Sequence, residues 1–140
     1  MVDEWVRQHS LQPHPEGGWY RETWRKSGEP NERAAATAIL YALDGGGSSH
    51  WHRVDADELW LWHGGSPLRL AIAPDENGPV QRIVLGNDPA LGYQPQYIVP
   101  AGWWQSAEAG PHGALVSCIV VPGFDFAGFD LAPPGWQPAG

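Results

Sequence analysis

Residues 47–65 read Gly47-Ser48-Ser49-His50-Trp51-His52-Arg53-Val54-Asp55-Ala56-Asp57-Glu58-Leu59-Trp60-Leu61-Trp62-His63-Gly64-Gly65. Two short alternating runs flank an acidic turn, and glycines close both ends, the pattern of paired antiparallel strands. Residues two apart on a strand point the same way, ~6.6 Å apart. His50 and His52 are therefore expected on one face, with Trp51 on the other. The returning strand brings Glu58 beside that pair, and Glu58, Trp60 and Trp62 share a face. Two imidazoles and a carboxylate converging on one spot form a ligand set for Fe, Mn, Ni or Zn. Without a metal, the same trio is an acid/base site, with His52 as base or acid and Glu58 orienting it.

The rest of the chain continues the β pattern. Gly18–Trp24, Ala34–Leu43, Pro67–Ala73, Val80–Leu85, Gln96–Val99, Gly102–Ala107, Gly113–Val121 and Asp125–Leu131 read as further strands. With the two above, that makes nine or ten at 8–12-residue spacing, as in a sandwich or barrel. Val2, Trp5, Val6 and His9 fall at helical spacing, so a short N-terminal helix is expected within residues 1–12, ending before Gln12-Pro13. No linker interrupts the sequence, which predicts one domain over 1–140 with a tail at 133–140 that is loose unless Trp136 docks.

Composition narrows the function classes. Leu, Ile, Val and Phe make up about a fifth of the 140 residues, and the net charge is −8, values that border on disorder. Nine tryptophans argue for a folded domain, since each buries roughly 150–250 Å². Eighteen Gly and 14 Pro supply the turns of a many-stranded fold. Eight basic residues against 16 acids provide no basic stripe for nucleic acid. No apolar run reaches the ~20 residues of a membrane span. The acidic start MVDEWVRQHS is unlike a signal peptide, and a single cysteine, Cys118, fits a reducing cytoplasm.

The stretch from the glycine run Gly45–Gly47 through His50, His52, Glu58 and Gly65 resembles the first motif of the cupin superfamily. Pro100-Ala101-Gly102-Trp103-Trp104-Gln105 resembles the second, with Gln105 in place of the last ligand histidine. His14–Arg25 (HPEGGWYRETWR), Val99–Ala107 and Ser117–Ala132 are similar to the small uncharacterised cupin-5 proteins. The resemblance covers nearly the whole chain. It implies an all-β double-stranded β-helix, or jelly-roll barrel, usually a homodimer, with one pocket per barrel.

Gln is a weaker ligand than imidazole for a transition metal, so the expected site is a hydrogen-bonded His52/Glu58 pair needing no cofactor. The alternative is a divalent metal on His50, His52 and Glu58. Trp60, Trp62, Tyr97, Trp103 and Gln105 are expected to line the pocket with them, as aromatic walls around a few polar groups. Arg21 is a candidate for binding a carboxylate or phosphate; Arg53 should face away. Cys118 and the 123–126 phenylalanines read as packing residues, His14 and His112 as loop histidines. The predicted function is small-molecule binding with acid/base chemistry of isomerase or epimerase type on a sugar-like or keto compound. A metal-dependent dioxygenase, lyase or isomerase, and a non-catalytic binding module, are the alternatives.

Overall fold

Alternation of large apolar and polar residues builds two antiparallel sheets, described for residues 1–140 in a computed structural model. The helix α1 spans Val2–Gln8, with Asp3 and Glu4 in its first turn and Arg7 in its last, charges that suit its dipole. The strands are β1 Gln12–Pro13, β2 Trp19–Lys26, β3 Ala36–Leu43, β4 Ser48–Val54, β5 Asp57–Gly65 and β6 Leu68–Ala73. They continue with β7 Gln81–Leu85, β8 Gln96–Val99, β9 Trp104–Ala109, β10 Ala114–Val121 and β11 Phe129–Leu131.

One sheet runs β1-β2-β3-β10-β5-β8 and the other β11-β4-β9-β6-β7. This is the all-β cupin architecture expected from the motifs. Along β10, Ala114, Val116, Cys118 and Val120 are buried, and the residues between them are half-buried. The first three meet Tyr41, Trp60, Leu68, Leu70, Ile72 and Leu85 in one core of 13 buried residues, and Val120 packs with Val54 and Ala56. On the outer face, Trp5 and Val6 of α1 pack with Leu40 and Leu115 around buried Val2, Leu11 and Ala42. No helix is long and apolar enough to cross a membrane.

The C-terminal segment takes the docked form, not the loose one. Trp136 lies against Trp104 with ring centroids 4.4 Å apart and meets Trp51 edge-on at 6.4 Å. The Ala139 N–H donates to the Glu76 carbonyl at 2.8 Å. An indole with two indole neighbours buries enough apolar surface to hold a chain end that has no periodicity of its own.

Candidate functional site

The site begins with an irregularity in β4. Ser49 faces Ala107 of β9, yet the next aligned pair is His52 with Gln105, so β4 spends three steps where β9 spends two. Such a bulge inserts one residue and breaks the alternation. Ser49, His52 and Val54 are buried inward, while His50 and Trp51 are only half-buried. His50 does not share the face of His52. Its Nε2 instead lies 2.9 Å from the carbonyl of Pro133, which corrects the expected His50/His52 pair.

His52 is held at both ring nitrogens. Nδ1 lies 2.8 Å from the His50 carbonyl and so carries a proton; Nε2 lies 2.8 Å from Oε2 of Glu16. Glu16 belongs to the loop His14-Pro15-Glu16-Gly17-Gly18. There Gly17 and Gly18 take φ of +105° and +81°, a region that only glycine enters at little cost. Those two residues turn the loop back over the barrel mouth, and the Tyr41 hydroxyl donates to the Gly17 carbonyl. Burial disfavours charge on His52, but Glu16 beside it outweighs this and raises the imidazole to about 9. Burial likewise opposes the Glu16 charge, and the His52 imidazolium overrides it, holding that carboxyl below its usual range. The two form a buried ion pair.

A second chain of hydrogen bonds supports Glu58. The Trp60 indole N–H donates to Oε1 of Gln105 at 2.8 Å, which orients the amide. The Gln105 Nε2–H then donates to Oε1 of Glu58 at 2.9 Å. Burial raises the Glu58 carboxyl to about 7, with Glu16 adding to the rise and His52 and Gln105 opposing it. Glu58 is thus a buried acid poised between its two forms near neutrality. His14 completes the polar set. Burial lowers its pKa, and Nδ1 accepts the Glu16 N–H at 3.1 Å, so the neutral ring carries its proton on Nε2.

These groups open on a cavity of about 500 Å³. His14, Glu16, His52 and Glu58 form its polar wall, and Phe124, Phe126 and Phe129 form an apolar one. The three phenyl rings meet edge to face, with centroids 4.8–5.8 Å apart. All three phenylalanines of the chain stand in this one segment.

Several expected residues lie elsewhere. Trp60 is 1% exposed and plugs the barrel beneath Glu58; Trp62, Tyr97 and Trp103 pack against the same core. None of the four lines the cavity, and Gln105 acts from behind Glu58. Strand alternation places the two indoles on the right face, but it carries no information about depth along the barrel. Arg21 is exposed and donates to the His9 carbonyl at 2.6 Å. Arg53 faces out as expected, pairing with Asp130 and lying over the Trp104 ring.

The residues missed from sequence are Glu16 and the phenylalanines as a wall, while His14, read as a loop histidine, reaches the site from outside the barrel. The available signals were the Glu-Gly-Gly turn and the crowding of every Phe into 124–129. As held, the polar set does not fit a divalent cation. Both ring nitrogens of His52 are engaged, by the His50 carbonyl and the Glu16 carboxylate, His50 is turned away, and no three His, Cys, Asp or Glu side chains converge as ligands.

Comparison with known proteins agrees with this architecture. Residues 3–132 match the family model described as Cupin superfamily (DUF985). An uncharacterised protein of Saccharomyces cerevisiae is 27% identical over 147 residues, covering 90% of this chain and 70% of its own length. The structure of a Shewanella oneidensis protein is 35% identical, with a TM-score of 0.87 over 93% of this chain and 83% of that one. A hypothetical protein from Leishmania major is 32% identical, with a TM-score of 0.85 over 96% and 88% of the two chains. Oxalate decarboxylase from Bacillus subtilis shares the fold at 19% identity and a TM-score of 0.65, over 85% of this chain and 29% of that enzyme.

Proposed function

The chain belongs to the cupin-5 (DUF985) family of the cupin superfamily, and from that premise we propose that it catalyses proton transfer on a small carbonyl compound, an isomerase- or epimerase-type reaction run by Glu58. The observation that carries this reading is a buried carboxyl, raised to about 7, bordering a cavity large enough for a small molecule.

The roles follow from what each group has left to offer. His52 has neither a lone pair nor a free proton to give, so it is a positioning residue. Its fixed positive charge stabilises negative charge appearing beside it. Glu58 can take a proton from the carbon next to a carbonyl and return it, from its own side, to that carbon or to the neighbouring atom, and a pKa near the working pH suits both steps. The His14 Nε2–H is free to donate to the carbonyl oxygen as it gains charge. Gln105 and Trp60 keep the carboxyl oriented from behind.

The test is solvent exchange. Simple ketones, aldoses and ketoses are incubated with the protein in deuterated buffer, and proton NMR follows loss of the signal next to the carbonyl. The wild type should exchange a subset of them. Glu58→Gln should slow that exchange by roughly 10²-fold or more, the usual contribution of a general acid or base. Equal rates for the two proteins would remove Glu58 from the chemistry.

A further inference from the structure

The cations around the cavity are all engaged. His52 is bound to Glu16. Arg25 holds Glu22 through two hydrogen bonds, Nε to Oε1 at 2.7 Å and Nη2 to Oε2 at 2.8 Å. Arg33 holds Asp55 through Nη1 at 3.0 Å and Nη2 at 2.7 Å and donates Nε–H to the Gly123 carbonyl. Two more carboxylates, Glu32 and Asp125, line the same mouth. An arriving carboxylate or phosphate would find no unpaired guanidinium and would approach a surplus of negative charge. The apolar lining is three phenyl rings together with Ile39 and Val120, a surface that rewards a flat apolar group.

We infer that this site takes a carbonyl compound that bears a flat apolar group and no anionic group, and that it rejects keto acids and sugar phosphates. This rests on the proton-transfer reading only for the carbonyl; the charge and shape preference stands on the cavity walls. In the reaction the bond from carbon to the exchanging hydrogen breaks, a Glu58 oxygen takes that proton, and the electron pair moves onto the carbonyl oxygen as an enolate. Reprotonation from the same carboxylic acid restores Glu58, so the step is balanced without any further reactant.

Phenylacetone and phenylpyruvate make a matched pair, since one carries a methyl where the other carries a carboxylate. Their binding to the wild type is measured by ligand-observed NMR titration near neutral pH, together with deuterium exchange. Phenylacetone should bind at least ~10-fold tighter than phenylpyruvate. Glu22→Gln frees Arg25 and should bring the two within ~3-fold by improving the keto acid alone. Phe126→Ala, at an exposed ring where folding is not at stake, should weaken phenylacetone several-fold. Phenylpyruvate binding as well as phenylacetone, or neither compound binding at millimolar concentration, overturns the inference. If phenylacetone binds selectively and no exchange occurs, the substrate class stands and the proton-transfer reading falls. Exchange confined to the keto acid overturns the substrate class and leaves proton transfer standing.

Discussion

Glu58 and Trp60 stand two residues apart on β5 and point the same way, yet their surroundings are opposite. Glu58 borders a cavity of about 500 Å³, and Trp60 is sealed at 1% exposure among Tyr41, Leu70 and Val116. The difference comes from the neighbours. Around Glu58 the inward positions are Thr37, Val54, Cys118 and Val120, small side chains that leave space. One step further along the axis they are Tyr41, Trp60 and Gln105, which fill it. A barrel of this size is closed by default, so the hollow end exists because these strand positions carry small side chains. Gln105 is the boundary, with its oxygen bound to the packed side and its nitrogen to the hollow one.

The sharpest way to break that division is to remove the plug. Trp60→Ala deletes a buried indole that meets Tyr41 edge-on at 6.2 Å, a loss of about 3–5 kcal/mol for a buried aromatic. It also leaves the Gln105 oxygen without its donor, which adds roughly 1–3 kcal/mol. Urea unfolding should show the midpoint falling accordingly. A loss below about 1 kcal/mol would mean that the two ends of the barrel are packed alike.

Next in size is the pH dependence of stability, which separates the two ends because only the hollow one holds buried charge. The Glu58 carboxyl is raised from 4.5 to about 7 in the fold. The folded state therefore binds more protons than the unfolded one across that interval. Its contribution is complete below about 4.5 and is lost as pH climbs through about 7, a change of about 3 kcal/mol. His52 is raised too, so its contribution is present below 6.5 and is lost as pH rises through about 9. Stability should fall from mildly acidic to alkaline pH in two stages. Glu58→Gln should flatten the first and shrink the second only in part, because Glu16 is the larger cause of the His52 shift, and urea midpoints across the interval read both. An unchanged first stage in the variant would show that Glu58 does not titrate there.

Much of this contrast is legible in the sequence and part of it is not. The alternation of Glu58, Trp60 and Trp62 correctly indicates one inward face, and the glycine, histidine and proline motifs indicate the jelly roll. Depth is hidden because a period of two residues is the same at the mouth and in the core. Glu16 is hidden because it reaches His52 from a glycine-bent loop with no periodicity to read. The anchoring of the tail is hidden because it is a contact between three indoles distant in sequence. The hollow end is assembled from loops and irregular backbone, and the packed end from regular strands, so sequence patterns describe the second far better.

His50 tests that conclusion at the smallest scale. Regular alternation would make it the partner of His52 in the cavity, and the β4 bulge makes it an outward residue hydrogen-bonded to the Pro133 carbonyl. His50→Ala should then cost only one such bond, about 0.5–1.5 kcal/mol, seen as a modest drop in melting temperature. Ligand binding and deuterium exchange should be unchanged, because the ring touches neither Glu58 nor His52. Loss of exchange in a variant that stays folded would place His50 inside the site after all. The bulge would then have to be straight, both imidazoles would face Glu58, and a metal-binding site would regain its ligands. One extra residue in one strand thus decides between two kinds of chemistry, which is why the variant with the smallest energetic effect discriminates the most.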